Sequence, residues 1–202
     1  MHFKAPVPSK ASFDYYNGLV DISFPANTLF DTLYLSHYVS DAYQEYCGPV
    51  HVINSSLVPM RKAASITLKG IEPCEDPDRT KAYQIDDIGD FSYLGGDWKG
   101  GDITFSTRSL GKFAVMADTI APSVMPLRLS SGGLSFRIED DLSGIDSYRL
   151  ELNGEWLLMN YDYKRNLIWS EPLEPGTPLQ GSVKLLVTDM VGNEKELITT
   201  IE

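Results

Sequence analysis

Basic residues are scarce in this chain. Lys and Arg number 17 against 28 Asp and Glu, giving a formal net charge of −11. A nucleic-acid binder neutralises phosphates with a basic face, so this balance argues against nucleic acid as a partner. It argues equally against an anionic membrane surface. Long hydrophobic runs are also lacking. None approaches the ~20 residues that span a bilayer as a helix, so no transmembrane segment is expected. Histidine occurs only at His2, His37 and His51, and cysteine only at Cys47 and Cys74. The cysteines have no CxxC spacing, which argues against zinc and thioredoxin-type chemistry. They either pair in an oxidising compartment or stay as two small, free thiols. Apolar material, by contrast, is plentiful. The 202 residues are 43% hydrophobic and 11% aromatic, enough to build a packed core.

The hydrophobic pattern has period two almost throughout. Val20, Ile22 and Phe24 alternate with Asp21 and Ser23; Ile103 and Phe105 alternate with Asp102, Thr104 and Ser106. Leu134, Phe136 and Ile138, then Tyr148, Leu150 and Leu152, repeat the pattern further on. Each run reads as a strand with one buried face. Turn pairs such as Asn17-Gly18, Gly95-Gly96, Gly132-Gly133 and Asn153-Gly154 separate the runs. The expected class is all-β, with antiparallel sandwiches. Ser40–Tyr46 is a short candidate helix, although a strand with an irregular stretch fits equally well. Pro122 and Pro126 bracket a segment that cannot continue a central strand. A boundary there divides the chain into residues 1–117 and 118–202, two tandem sandwiches that are both acidic. Leu94-Gly95-Gly96-Asp97-Trp98 and Leu152-Asn153-Gly154-Glu155-Trp156 share the form Leu-x-Gly-acid-Trp, which predicts two tight hairpins, each with a Trp folded over its own turn.

Catalytic and metal signatures are mostly missing. His37 and Asp41 form an HxxxD, but the HxH that completes a zinc-peptidase ligand set is absent. There is no HExxH, GxSxG, GxxxxGK[ST] or GxGxxG. The adjacent pairs Asp86-Asp87 and Asp140-Asp141 do not suit glycosidase chemistry, because neighbours on a strand point to opposite faces. Asp118, the turn Asp140–Asp146 and the turn Asp189–Asn193 gather oxygen ligands of the kind calcium takes, without EF-hand spacing. Plain turn formation by Asp, Asn and Gly is the stronger explanation. No catalytic, cofactor-binding or metal-binding residue is therefore assigned, and no cofactor is expected. Tyr161, Tyr163, Trp156 and Trp169 offer a second possibility, a sugar-stacking platform, against the simpler one that they fill the sandwich.

Phe91-Ser92-Tyr93-Leu94-Gly95-Gly96-Asp97-Trp98-Lys99, followed by Thr107 through Pro122, resembles the C-terminal region of large secreted Bacteroidetes proteins. Many of these are lysostaphin-type (LytM-like) metallopeptidases. Asp140-x-x-Ser143-Gly144-Ile145, Gly154-x-Trp156 and Val187-Thr188-Asp189-x-x-Gly192-Asn193 resemble the bacterial Ig-like module of the same proteins. Val20–Leu29 is similar to the opening of sandwich modules in ankyrins and netrin receptors. The resemblance implies that the second sandwich is Ig-like and that this is a non-catalytic accessory region of a cell-envelope protein. Its partners would be an upstream catalytic domain of the same parent chain and a cell-wall glycan or envelope protein. The location would be periplasmic or cell-surface. Met1–Pro8 has no signal-peptide h-region, so a signal peptide is expected upstream of a fragment or already removed. The alternative function is a carbohydrate-binding or adhesin-like surface module.

Overall fold

The structure is a computed structural model that describes residues 3–40, 46–170 and 178–202. The candidate helix Ser40–Tyr46 falls largely outside the described residues. Ser40 itself ends a strand. The described residues contain strands, turns and bends but no helix, so none is long and apolar enough to cross a membrane. Among the described residues every strand pair is antiparallel, and no sheet closes into a barrel.

The chain divides into two compact units, Met1–Asp118 and Thr119–Glu202. In the first, a six-stranded sheet has the order β1 (Phe3–Val7), β4 (Leu33–Ser40), β5 (Val50–Ile53), β11 (Gly111–Ala117), β7 (Thr80–Ile85), β8 (Phe91–Gly95). A five-stranded sheet has the order β2 (Phe13–Tyr16), β3 (Val20–Phe24), β6 (Ala64–Leu68), β10 (Asp102–Thr107), β9 (Asp97–Lys99). The alternating residues meet between these sheets. Val20, Ile22, Phe24, Ile66, Leu68 and Ile103 from one sheet join Leu35, Ile53 and Phe113 from the other in a single core. Strand alternation thus becomes burial, as a half-buried strand requires. Cys47 and Cys74 are joined in a disulfide with Cα atoms 5.2 Å apart.

The Gly95-Gly96 turn is not a hairpin. β8 pairs with β7 in one sheet, whereas β9 pairs with β10 in the other, so the chain changes sheets at Gly96. Gly96 has φ 125°, and a Cβ there would lie 2.9 Å from Ile103 Cγ1 and 3.2 Å from the Thr104 carbonyl oxygen. Only glycine fits that corner. Trp98 does not fold over its own turn; its indole Nε1–H donates to the Thr80 carbonyl at 2.7 Å.

The second unit has two four-stranded sheets: β12 (Ser123–Ser130), β13 (Gly133–Glu139), β17 (Leu167–Ser170), β16 (Asn160–Asp162); and β15 (Glu155–Leu157), β14 (Ile145–Leu152), β18 (Gly181–Asp189), β19 (Glu194–Ile201). Its core draws Leu134, Phe136, Ile138 and Ile168 from one sheet and Leu150, Val183, Leu185 and Val187 from the other. Pro126 sits within β12 because β12 is an edge strand, and the pairing is bulged between Pro126 and Arg128. Here the Asn-Gly turn is a true two-residue hairpin. Leu152 pairs with Glu155, and Asn153 and Gly154 have φ 55° and 85°. The Asn153 amide also reaches β18, accepting from Ser182 N–H at 2.9 Å and donating to the Gln180 carbonyl at 2.9 Å.

Candidate functional site

Three loop aspartates, Asp86, Asp140 and Asp189, hold backbone amides. The three Asp-Gly loops share one device. Asp86 Oδ1 accepts from the backbone N–H groups of Ile88, Gly89 and Asp90 at 2.9, 2.8 and 2.9 Å. Asp140 Oδ2 accepts from Leu142 N–H at 3.2 Å and Gly144 N–H at 2.7 Å. Asp189 Oδ1 accepts from Val191 N–H at 2.9 Å and Asn193 N–H at 2.8 Å, while its Oδ2 takes the Asn193 amide at 2.8 Å. In each loop one carboxylate ties residues i+2 and i+4, the turn chemistry these residue types favour. Asp140 and Asp189 come close, with a carboxylate oxygen of each within 4.8 Å of the other. Asp118 is buried, and its backbone N–H donates to the Arg79 carbonyl at 3.0 Å.

His37 meets a partner that lies across the ladder, not along the chain. Its Nε2 is 3.2 Å from His51 Nδ1, and the two rings stack at 5.4 Å between centroids. The hydrogen-bond direction follows from Asn17 in the β2–β3 turn. Asn17 Oδ1 accepts from Leu19 and Val20 N–H, each at 2.7 Å, so its Nδ2 faces Tyr15 Oη at 3.0 Å and His37 Nδ1 at 3.3 Å. His37 Nδ1 therefore accepts, and its Nε2–H donates to His51 Nδ1. His51 then carries its proton on Nε2, which is buried without a hydrogen-bond partner. Burial, reinforced by the neighbouring His37, lowers the His51 pKa to about 4. Burial, reinforced by Lys4, lowers that of His37. The exposures are 6% for His37 and 1% for His51, so this neutral relay stays inside the protein.

Two concave surfaces lie on outward sheet faces. On the first unit, a groove of about 550 Å³ runs over the six-stranded sheet, between Tyr38, Tyr46, Val52 and Lys112 and the Asp86–Gly89 turn. On the second, a pocket of about 270 Å³ lies over the β12–β13–β17–β16 sheet. Arg128, Ser135, Arg165, Leu167 and Trp169 line it. Ser135 pairs with both Arg128 and Trp169 in the strand register, which aligns these three side chains on the outer face. The four aromatics singled out in the sequence do not form a row. Trp156, on β15, and Trp169, on β17, belong to different sheets. Tyr161 turns toward Tyr148, with ring centroids 5.5 Å apart, and Tyr163 lies beyond the end of β16.

Whereas the Asp loops are local and the turns at Asp140 and Asp189 were legible from their Asp, Asn and Gly residues, the His37–His51 relay has no signature along the chain, because the contact runs between strands. The arginine–tryptophan pocket was equally hidden. Its register could be found only once β12, β13 and β17 were known to be neighbours.

No curated protein matches the chain. Among protein families, residues 6–118 match the Zu5-like domain, a stretch that takes in both sheets of the first unit and the Val20–Leu29 segment. The chain belongs to the Zu5-like domain family.

Proposed function

We propose that this chain is a non-catalytic binding region of a cell-envelope protein. It docks an upstream catalytic domain of the same parent chain to the envelope and positions it there. A LytM-like metallopeptidase is the parent implied by the resemblance of Phe91–Pro122 to the tails of such enzymes. The observation that carries this reading is the placement of the polar groups. His37 and His51 are withdrawn between sheets and the loop carboxylates of Asp86, Asp140 and Asp189 hold backbone amides, whereas arginine, tyrosine and tryptophan side chains line the outer-face groove and pocket. Catalysis needs a positioned acid, base or nucleophile within reach of substrate. Binding needs only a rigid face with polar and aromatic groups. The Cys47–Cys74 disulfide supports a periplasmic or cell-surface location, since such bonds persist in oxidising compartments.

Two assays test the proposal. The purified chain should co-sediment with cell-envelope fractions and should release no product from peptidoglycan or peptides. Retention in the supernatant, or hydrolysis abolished by one substitution, overturns it. A second reading, a carbohydrate-binding surface module, is favoured by one specific observation: the pairing of Trp169 with two arginines in the pocket of the second unit.

A further inference from the structure

The second unit has four arginines, in a chain of net charge −11. Arg149 pairs with Glu151 at 2.8 Å and Arg137 with Glu139 at 3.9 Å. Arg128 and Arg165 have no carboxylate partner among the described residues, and both line the pocket that contains Trp169. The Arg128 Nε donates to Ser130 Oγ at 3.0 Å. That contact leaves the terminal guanidinium nitrogens against the tip of the β12–β13 hairpin. The turn there is Ser131-Gly132, followed by Gly133 at the start of β13, and the two glycines make the room. A Cβ at Gly132 would lie 3.0 Å from Arg128 Nη2, and one at Gly133 would lie 3.3 Å from Nη1. Arg165 comes from the β16–β17 turn, whose backbone N–H donates to the Asp162 carbonyl at 3.2 Å. Two guanidiniums without a carboxylate partner among the described residues, one from edge strand β12 and one from the β16–β17 turn, thus line the same pocket as the half-buried Trp169 indole.

We infer that this pocket binds a carboxylate-bearing sugar of a glycan: Arg128 and Arg165 grip the carboxylate and Trp169 takes the sugar ring. Arginine is suited to planar, bidentate recognition of a carboxylate, and an aromatic face suits the C–H surface of a pyranose. The volume, about 270 Å³, is at the low end for ligand pockets and suits one ring. A sugar fits better than a peptide terminus. The pocket lies on a sheet face, where Ser135 stands beside the indole and Leu134 and Leu167 join the lining, a mix of polar and apolar groups that matches a sugar ring. The acidic remainder of the chain repels polyanions, so recognition falls on a single acidic sugar and not on a run of charges. This inference rests on the docking reading and supplies the ligand class for it.

The test uses the whole chain. Galacturonate, glucuronate, N-acetylneuraminate and N-acetylmuramate are titrated against it, each beside its neutral counterpart. Calorimetry and the Trp169 indole N–H resonance, identified by its loss in Trp169→Phe, are the readouts. The expected result is binding of at least one acidic sugar that shifts this resonance, no binding of the neutral sugar, and a roughly tenfold to hundredfold loss in Arg128→Gln or Arg165→Gln. Amide exchange of the β13 and β17 core confirms that the variants remain folded. Equal binding of neutral sugars, or unchanged affinity in both variants, overturns carboxylate recognition while leaving docking intact. An acetylated dipeptide that binds as well as the sugars overturns the choice of a glycan. If no sugar binds at millimolar concentration, the inference fails. Envelope co-sedimentation then decides the docking reading separately: continued sedimentation keeps it and loss of sedimentation removes it.

Discussion

The two units handle polar residues in opposite ways. The first places a hydrogen-bonded relay, Tyr15–Asn17–His37–His51, across its two sheets and ties Cys47 to Cys74. The second has an apolar core, and its buried Asp189 and Asn193 are bonded to one another in a turn. The difference concerns where stability depends on chemistry as well as packing. A buried polar relay is stable only in one protonation pattern, and a disulfide only in one redox state. An apolar core is indifferent to both.

Reduction should therefore separate the units most sharply. The disulfide closes a loop with a sequence separation of 27, worth about 3.5 kcal/mol by chain entropy. Cys47→Ser with Cys74→Ser, or added reductant, should accelerate amide exchange in the first unit by that measure. The second unit should not change. Equal loss in both would mean that they do not unfold independently.

Acidification should act on the same side of the comparison, with an effect of similar size. His51 has its pKa lowered from 6.5 to about 4, so the unfolded chain binds the proton more readily than the folded one. Stability from this group is full above pH 6.5 and is lost as pH falls toward 4. For His51 alone the loss amounts to about 3 kcal/mol. His37 is lowered in the same direction and adds to it. The measurement is exchange or melting of each unit between neutral pH and pH 4, in wild type and in His51→Gln. The acid sensitivity of the first unit should diminish in the variant, and a profile unchanged by the substitution would remove the relay as its source.

These two effects were the least legible in the sequence. The strands were readable because burial of Ile22, Phe105, Phe136 and Leu150 depends only on alternation along the chain. The His37–His51 contact depends on the register of β4 on β5, where Val39 faces His51 and His37 faces Ile53. No spacing along the chain encodes that offset. The disulfide joins a bend after β4 to another before β7, again a matter of topology. Gly95-Gly96 carried a turn signal but not its kind. A hairpin and a sheet-changing corner both call for positive φ, and only the close approach of Ile103 distinguishes them.

The Asp loops bring the second unit into the comparison. Asp189 is 2% exposed and holds two backbone N–H groups and one side-chain amide. Asp189→Ala should cost the second unit roughly 2 kcal/mol, because the freed donors remain buried. Asp86 holds three backbone N–H groups in an exposed turn of the first unit, where water can replace the carboxylate. Asp86→Ala should cost about 1 kcal/mol or less. If the two substitutions prove equal in denaturant titrations, burial is not what sets the strength of this shared device.

The smallest effect separates the two Leu-x-Gly-acid-Trp segments. Trp98 packs on the first core and its indole N–H reaches the Thr80 carbonyl, joining β9 of one sheet to β7 of the other. Phenylalanine can fill much of the space but cannot donate, so Trp98→Phe should cost about 1 kcal/mol. Trp156 is 59% exposed on an edge strand, and Trp156→Phe should fall within about 0.5 kcal/mol of wild type. Matched losses at the two positions would mean that the shared sequence form carries a shared structural role. Unequal losses would trace their difference to the residue before the acid. Gly96 turns the chain into the other sheet and packs the following indole, partly buried, against the core, whereas Gly154 keeps it in the same sheet and leaves the indole facing solvent.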